Sequence, residues 1–415
     1  MKRAKWWVAT GVTTVAVVAT VTGAVVATQR FGVEVDPPLS VAGPQHTIGL
    51  VDQHVPQDNA TLRESLQAAA ANPALAQFGA QVIDADTGEV VFESSPTVAL
   101  RPASATKLLT AVTALKVLGA QDRITTTVVA DGTTVTIKAA GDVWLTSERL
   151  DDLAAQIREN VPEVTQVLVD TSAWTAPAFA DGWDAADIEG GYIAPMEPIM
   201  LYGARIGGTT GDVPRSHTPA LDVAQALAQR LGTQTFGYTS SSDGQEVAST
   251  QSPTLEERLR MMLEDSDNVM AEAIGREIDP ATPAEVTMQV LTDAGFDLTN
   301  TSIEDTSGLS THNVVTPALL AQLMRASVTE LELRPLLGAL PVAGATGTLE
   351  DRYADLSGRG WVRAKTGTLT GTSALAGIVP NSQGHVYAFG LISNGSDIES
   401  ARAALDAFAS AIRES

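Results

Sequence analysis

A charge-free run of 24 residues, Trp6 to Gln29, separates the basic start of the chain from everything that follows. The run is rich in Val and Ala, and as a helix it is long enough to span about 30 Å of hydrocarbon. Residues 1–5, "MKRAK", carry three positive charges, which favour a cytoplasmic position for the start of the chain. We therefore predict that residues 6–29 are a membrane anchor or a cleaved signal peptide, and that the remainder folds outside the cytoplasm.

Composition excludes several kinds of chemistry. The 415 residues include no cysteine, so disulfides, thiol chemistry and Cys-based zinc sites are excluded. The net charge of -23 makes nucleic acid and anionic lipid surfaces poor partners. The histidines lack any metal-ligand spacing, and we interpret each of them as structural or solvated, with no metal site and no cofactor. They are His46, His54, His217, His312 and His385.

The exported part divides into a linker and two domains. Residues 30–59 contain "DPPLSVAGPQ" and no sustained periodicity, which is typical of a linker. Residues 60–122 and 253–415 carry strong helix and strand patterns, including a hairpin around "DADTGE" and helical spacing in "SATKLLTAVTALKVLG". Residues 123–252 form a separate unit of alternating strands and helices. The prediction is an α/β (α+β) domain in two pieces, interrupted by a smaller α/β lobe.

The stretch "PASATK" brings a serine and a rare lysine together. Ser104 and Lys107 are three positions apart, so on a helix they lie one turn apart on the same face. A serine hydroxyl becomes a nucleophile when a neighbouring base takes its proton. A lysine is such a base only if burial or another cation lowers its pKa from about 10.4. This pattern occurs often by chance, so it is only a weak indication of catalysis by itself.

Two further short motifs strengthen the hypothesis. "SDN" at Ser266–Asn268 lies in a helical segment or at a turn that interrupts it, and "KTGT" at Lys365–Thr368 lies in a predicted strand. Along a strand, Lys365 and Gly367 point to one face and Thr366 to the other. Gly367 permits close approach of a ligand backbone. Lys365 is a candidate cation that keeps Lys107 neutral or binds a carboxylate.

The ordered set S-x-x-K, S-D-N, K-T-G resembles the signature of the penicilloyl-serine transferases, the penicillin-binding proteins and serine β-lactamases. The chain is most similar to the D-alanyl-D-alanine carboxypeptidase/endopeptidases of low molecular mass, over about residues 79–394. "DTSGLSTHN" and "LPVAGATGTLEDR" add to this resemblance. It implies a β-lactamase/transpeptidase-like domain, an antiparallel sheet flanked by helices. Lys107 and Ser266 are 159 positions apart (266 minus 107), and the resemblance implies an insert between them, here shorter than is usual in the family.

The resemblance also implies a role for each motif residue. The catalytic residues are Ser104 as nucleophile, Lys107 as base, Ser266 as proton relay to the leaving D-Ala amine, and Lys365 beside it. The substrate-binding residues are Asn268, Thr366, Gly367 and Thr368. The oxyanion is expected between the backbone N–H groups of Ser104 and Thr368. The implied partners are peptidoglycan stem peptides, β-lactams as covalent inhibitors, and the cytoplasmic membrane through the N-terminal segment.

Two alternative functions share these motifs. A serine β-lactamase hydrolyses penicillin with a Glu on a loop, but in the compact class about sixty residues separate the first two motifs, and we interpret Glu197 of "MEPIM" as structural. A non-catalytic penicillin-recognising sensor or wall-binding protein is the other alternative. "DTSGLS" departs slightly from the family's usual Asp-Gly-Ser-Gly. Carboxypeptidase and endopeptidase activity are not distinguished, because both cleave after D-Ala.

Overall fold

The computed structural model describes residues 59–415 of the chain. The predicted basic flank 1–5, the membrane segment 6–29 and all but the last residue of the predicted linker 30–59 lie outside the described residues. Within residues 59–415, no helix has both the length and the apolar character that crossing a membrane requires.

Helices and strands follow the predicted order with few exceptions. The strands are β1 Gln77–Asp84, β2 Val90–Ser94, β3 Thr125–Asp131, β4 Thr134–Lys138, β5 Asp142–Leu145, β6 Gln166–Asp170, β7 Ile199–Leu201, β8 Phe236–Thr239, β9 Gln245–Gln251, β10 Arg363–Leu369, β11 Thr372–Pro380 and β12 Val386–Asn394. The α-helices are α1 Ala60–Ala70, α2 Lys107–Val117, α3 Ser147–Asn160, α4 Pro219–Leu231, α5 Leu255–Glu264, α6 Asn268–Ile278, α7 Pro283–Asp293, α8 Pro317–Thr329, α9 Pro335–Ala339 and α10 Ile398–Glu414.

The first sheet joins strands from both ends of the described chain. Its order is β10-β11-β12-β1-β2, and every neighbouring pair is antiparallel. The long-range contact is between β1 and β12, where Ala80 pairs with Leu391. The predicted antiparallel sheet is confirmed, and strands on both sides of residues 123–252 share it.

Both faces of this sheet are buried under helices. Alternate residues of β11 face opposite sides, as the period of a strand requires. Ala374, Ala376 and Ile378 pack into a core that also contains residues of α2, α5, α6 and α8, whereas Leu375 and Val379 pack with residues of α1 and α10. Burying an aliphatic side chain of the size of Leu, Ile or Val contributes about 1.5–3 kcal/mol. The sheet is thus fixed from both sides.

The predicted strand that contains "KTGT" is the first half of a hairpin. The stretch "GWVRAKTGTLTGTSALAGIVP" contains both β10 and β11, which pair with each other. The turn lies at Thr370 and Gly371, and Gly371 has a φ of 67°, which glycine adopts without steric cost. The apolar pattern continues through this short turn, so periodicity alone does not reveal it. β10 lies at one edge of the first sheet, and β2 lies at the other.

Residues 123–252 contain a second sheet with its own core. Its order is β8-β6-β4-β3-β9; β4, β6 and β8 are parallel, and β3 is antiparallel to both β4 and β9. Val135, Val167 and Leu227 belong to a cluster formed entirely by residues of this part of the chain. We propose on this basis that residues 123–252 are an inserted domain and that 60–122 and 253–415 form the other domain.

The middle of the insert leaves this second core and packs against the first. Trp144, Met196 and Met200 lie in the same buried cluster as residues of α2, α5 and α6. The stretch from Trp174 to Ser216 consists mainly of loops and short turns, and it reaches the ends of these helices. The insert therefore contributes side chains to the region where the sequence motifs meet.

Candidate active site

The turn that carries Ser104 precedes α2 and is strained. The sequence predicts a helix from Ser104, but Ala103–Thr106 form a 3-10 turn and the α-helix begins at Lys107. Ala103 has a φ of 48°, and this left-handed conformation costs a non-glycine residue about 1–2 kcal/mol. The Thr106 hydroxyl donates to the Ala103 carbonyl at 2.9 Å, which stabilises the turn. Ser104 is thereby held at the amino end of α2, where free N–H groups favour negative charge.

Lys107 meets three oxygen atoms, and their chemistry is consistent with a neutral amine. Its Nζ lies 2.7 Å from Asn268 Oδ1, 2.7 Å from the Ser307 carbonyl and 3.0 Å from Ser104 Oγ. The first two oxygens only accept, so they take the two N–H groups of a neutral amine. The Ser104 hydroxyl can donate, and it faces the remaining lone pair. The Asn268 amide is oriented by its Nδ2, which donates to the Tyr192 carbonyl at 3.2 Å.

Burial dominates the acid–base chemistry of Lys107. Its side chain has no exposed surface. Burial lowers the pKa of Lys107 from 10.5 to about 8, and the carboxylates of Asp305 and Asp267 oppose this decrease. At pH 7 such a pKa leaves on the order of a tenth of the molecules with a neutral amine, far more than an exposed lysine has. Lys107 therefore has the position and the proton affinity of a general base.

Ser266 lies at a break between two helices. The sequence allows a helix or a turn here, and the structure has a turn: α5 ends at Glu264 and α6 begins at Asn268. Ser266 has a φ of 57°, a left-handed conformation in a non-glycine residue. The Asp267 carboxylate caps α6 by accepting from the Met270 N–H at 2.8 Å. The break aims Ser266 and Asn268 toward the two lysines.

Lys365 and Ser266 form a second lysine–serine pair. The Lys365 Nζ donates to Ser266 Oγ and to the Thr366 carbonyl, each at 2.9 Å. Burial holds the pKa of Lys365 well below its usual range, and the charges of Lys107 and Arg352 lower it further. Because two buried cations repel each other, the state in which both lysines are positively charged is disfavoured.

Strand β10 passes in direct contact with the turn of Ser104. A Cβ atom on Gly367 would lie 2.2 Å from the Pro102 carbonyl oxygen and 3.2 Å from the Ala105 nitrogen. No side chain fits in this space, so glycine is required for the strand to lie this close. Lys365 and Gly367 face the serine turn from the same side of the strand, in agreement with the predicted alternation.

The hydroxyls of the two predicted threonines point elsewhere. Thr366 Oγ1 donates to Thr348 Oγ1 at 2.8 Å, and Thr368 Oγ1 accepts from Arg402 Nη2 at 3.0 Å. Arg402 lies on α10, which packs on the far face of the sheet. Of the predicted substrate-binding residues, Asn268 and Gly367 therefore lie directly against the serine–lysine groups. The threonine hydroxyls are joined to Thr348 and Arg402.

Two arginines of the insert bind the middle residue of the S-D-N motif, and the sequence prediction missed them. Arg205 Nη2 lies 2.6 Å from Asp267 Oδ2, and Arg215 Nη2 lies 2.7 Å from the same oxygen. All three side chains are buried. Both guanidiniums hold the pKa of Asp267 well below its usual range, despite its burial. The arginines are 62 and 52 residues away in the chain, so no local motif connects them to Asp267.

A second buried carboxylate, Asp305 of "DTSGLS", also contacts the insert. Asp305 accepts from Trp183 Nε1 at 2.7 Å and from the Ser307 hydroxyl at 3.0 Å. It also accepts from N–H groups of its own loop and from Asn313. These bonds fix the loop whose Ser307 carbonyl receives Lys107. The resemblance identified this stretch without assigning it a role, and its network of hydrogen bonds supplies one.

Glu197, which we interpret from the sequence as structural, binds two groups of the insert. Its carboxylate accepts from the Ala220 N–H at 2.7 Å, at the start of α4, and from the Tyr238 hydroxyl at 2.9 Å. Both partners belong to the insert. Glu197 thus binds the amino end of a helix there, where a negative charge is favourable.

The chain is similar to known carboxypeptidases. The family model "D-Ala-D-Ala carboxypeptidase 3 (S13) family" matches residues 62–213 and 207–414. A relative, carboxypeptidase DacB of Mycolicibacterium smegmatis, is 41% identical over 85% of this chain and 84% of its own length. A carboxypeptidase of Mycobacterium tuberculosis is 36% identical over 90% of this chain and 87% of its own length.

The fold is also that of a solved structure. The crystal structure of penicillin binding protein 4 from Haemophilus influenzae superposes with a TM-score of 0.70 at 22% identity, covering 85% of this chain and 97% of that one. This likeness confirms the predicted transpeptidase-like fold. With the family model matching most of the chain, it follows that the chain belongs to the D-Ala-D-Ala carboxypeptidase 3 (S13) family.

Proposed function

We propose that this serine-type D-Ala-D-Ala carboxypeptidase works through an acyl-enzyme on Ser104. The observation that carries the proposal is the three-way contact of the buried Lys107 Nζ with Ser104, Asn268 and Ser307. In the first step, Lys107 takes the Ser104 proton as Oγ attacks the carbonyl carbon of the penultimate D-Ala. The oxyanion forms between the backbone N–H groups of Ser104 and Thr368.

The leaving group needs a proton, and the second serine–lysine pair is suited to deliver it. Ser266 Oγ lies 2.9 Å from Lys365 Nζ. Ser266 gives its proton to the departing D-Ala amine and regains one from the lysines. Asn268 holds the amide on the acyl side of the substrate through its side chain. Water then hydrolyses the ester on Ser104 and releases the shortened peptide.

The terminal carboxylate of the substrate has a further electrostatic effect. Lys365 is buried and its pKa is held low, so an arriving anion stabilises its protonated form. The new cation in turn favours the neutral form of Lys107, the form that acts as a base. The proposed carboxylate site consists of Lys365 and the strand segment from Thr366 through Gly367 to Thr368, although the two threonine hydroxyls are bound to Thr348 and Arg402. A free carboxylate would thus both bind and promote acylation.

The enzyme's partners follow from its family. It acts on peptidoglycan outside the cytoplasm, and β-lactams bind it covalently at the same serine. We propose in addition that residues 6–29 attach it to the cytoplasmic membrane or direct its secretion, with residues 30–59 as a linker. The charge-free sequence of residues 6–29 supports this proposal.

Rapid hydrolysis of penicillin would instead indicate a β-lactamase, and an acyl-enzyme without peptide cleavage would indicate a sensor. The experiment therefore incubates the purified protein, and its Ser104→Ala variant, with fluorescent penicillin and with monomeric and cross-linked muropeptides. We expect lasting labelling by penicillin, and monomeric muropeptides whose mass falls by one alanine residue. Ser104→Ala should neither be labelled nor release D-Ala, and its free energy of unfolding should stay within about 1 kcal/mol of that of the unaltered protein. Labelling that persists in this variant would show that another residue is the nucleophile. Cleavage of cross-linked muropeptides would add endopeptidase activity.

A further inference from the structure

We infer that Arg205 and Arg215 are positioning residues for acylation, through which the insert holds the turn of Ser266 and Asn268 in its reactive shape. Both guanidiniums bind the same oxygen of Asp267, at 2.6 and 2.7 Å. The exposed fractions of the three side chains are 2%, 1% and 0%. The inference rests on the function proposed above, because it concerns the same serine and lysines.

The arginines are themselves fixed before they reach Asp267. Arg215 donates to the carbonyls of Gly191 and Gly203, and Arg205 donates to those of Gly211 and Tyr202. Their backbones also pair with each other in an isolated antiparallel bridge. A helix cap needs no counter-charge, and a second buried guanidinium carries a desolvation cost of several kcal/mol. The arrangement is therefore more elaborate than capping α6 requires, and it indicates a role beyond the cap.

The position of Asp267 between two reactive residues supplies that role. Ser266 is held in a left-handed conformation, which relaxes if its neighbours are free to move. Asp267 is anchored by the insert arginines, and Asn268 is anchored by the Tyr192 carbonyl, also of the insert. The insert thus fixes two consecutive residues of the motif, and the strained Ser266 has no room to relax.

The binding of Arg205 and Arg215 to Asp267 also affects the charge around Lys107, the proposed base. Lys107 faces Asp267 at the start of α6, Asp305 in the loop between α7 and α8, and Lys365 on β10, with Glu272 of α6 behind the Asp305 loop. Asp267 raises the pKa of Lys107. The two guanidiniums offset this negative charge. Removing one of them leaves Asp267 less compensated, so the pKa of Lys107 should rise and its neutral fraction at pH 7 should fall.

The test compares Arg205→Gln with Arg149→Gln, a control that makes the same change in net charge. Arg149 pairs with Asp142 inside the insert and contacts none of the motif residues among those the structure describes. The rate of acylation by penicillin is measured as a function of pH on the full-length proteins. Each rate is normalised to the fraction of the protein that penicillin can label. We expect Arg205→Gln to acylate about tenfold more slowly at pH 7. Its pH midpoint should move up by on the order of half a unit. The control should match the unaltered protein in both.

A conservative variant separates position from charge. Arg205→Lys keeps the cation but loses the planar fork that reaches both Asp267 and the backbone, so its rate should fall while its pH midpoint stays in place. If both Arg205 variants keep the rate and the midpoint of the control, the inference is wrong and the arginines only stabilise the fold. If Arg205→Gln does not fold, Arg205→Lys decides by its rate alone. Absence of acylation in the unaltered protein would instead reject the proposed function.

Discussion

The two serine–lysine pairs of the site reach similar contacts by different routes. Lys107 and Ser104 are three residues apart and their side-chain atoms lie 3.0 Å apart. Lys365 and Ser266 are 99 residues apart and their side-chain atoms lie 2.9 Å apart. Both lysines are fully buried. The first pair is made by one turn of the chain, and the second by a strand and a turn between helices.

This difference shows which parts of the fold the geometry of each pair depends on. The local pair keeps its geometry as long as α2 and its preceding turn form. The long-range pair also depends on the position of β10 and on the break at Ser266, which the insert holds through Asp267. Mutations of Ser104 or Lys107 should therefore change proton transfer and nucleophilic attack directly. Mutations far from the site should act mainly by displacing Ser266 or Lys365.

The largest effect after loss of the nucleophile is expected from Lys107→Arg. Arginine stays protonated at any working pH, so it cannot take the proton of Ser104. A general base contributes about 10²–10⁴-fold, and acylation by penicillin and by peptide should fall by about that factor. Stopped-flow acylation rates provide the measurement. A near-normal rate at neutral pH would mean that Lys107 is not the base.

Gly367→Ala should come next. The added Cβ would lie 2.2 Å from the Pro102 carbonyl, and neither backbone can yield without moving β10 away from the Ser104 turn. A displacement of about 1 Å costs on the order of 10²-fold in rate. Gly371→Ala is a suitable comparison, since a Cβ there meets no atom within 4 Å; its cost is backbone strain alone. Equal acylation rates for the two variants would contradict the close-contact interpretation.

The local pair is also the part that the sequence predicts best. The spacing of Ser104 and Lys107 follows from helix geometry, and the alternation along β10 assigns Lys365 and Gly367 to one face. The sequence does not decide between a helix and a turn at Ser266, because apolar residues continue at helical spacing on both sides of it. A signal was present, since Asp267 is a favoured N-cap residue. Arg205 and Arg215 had no such signal, because their contacts depend on how the insert packs.

Lys365→Arg should have a smaller effect, and the effect should depend on the ligand. The guanidinium keeps the positive charge, but it is broader than an ammonium and cannot share a proton with Ser266. Loss of one charge-assisted hydrogen bond costs roughly 1.5–3 kcal/mol, or about ten- to a hundredfold. The rate of acylation should fall more for penicillin with a free carboxylate than for its methyl ester. Equal losses for the acid and the ester would exclude Lys365 from the carboxylate site.

The smallest effect is expected in the pH dependence, and it assigns the base to one pair. Lys107 acts as a base when neutral, and its pKa is about 8, so the acylation rate should rise as the pH increases through about 8 and then level off. Ser266→Ala removes no charge; it should lower the rate but leave this midpoint unchanged. Rates measured against pH for both proteins make the comparison. A midpoint that moves with Ser266→Ala would mean that proton transfer is shared between the two pairs, and the separation between the local and the long-range pair would fail.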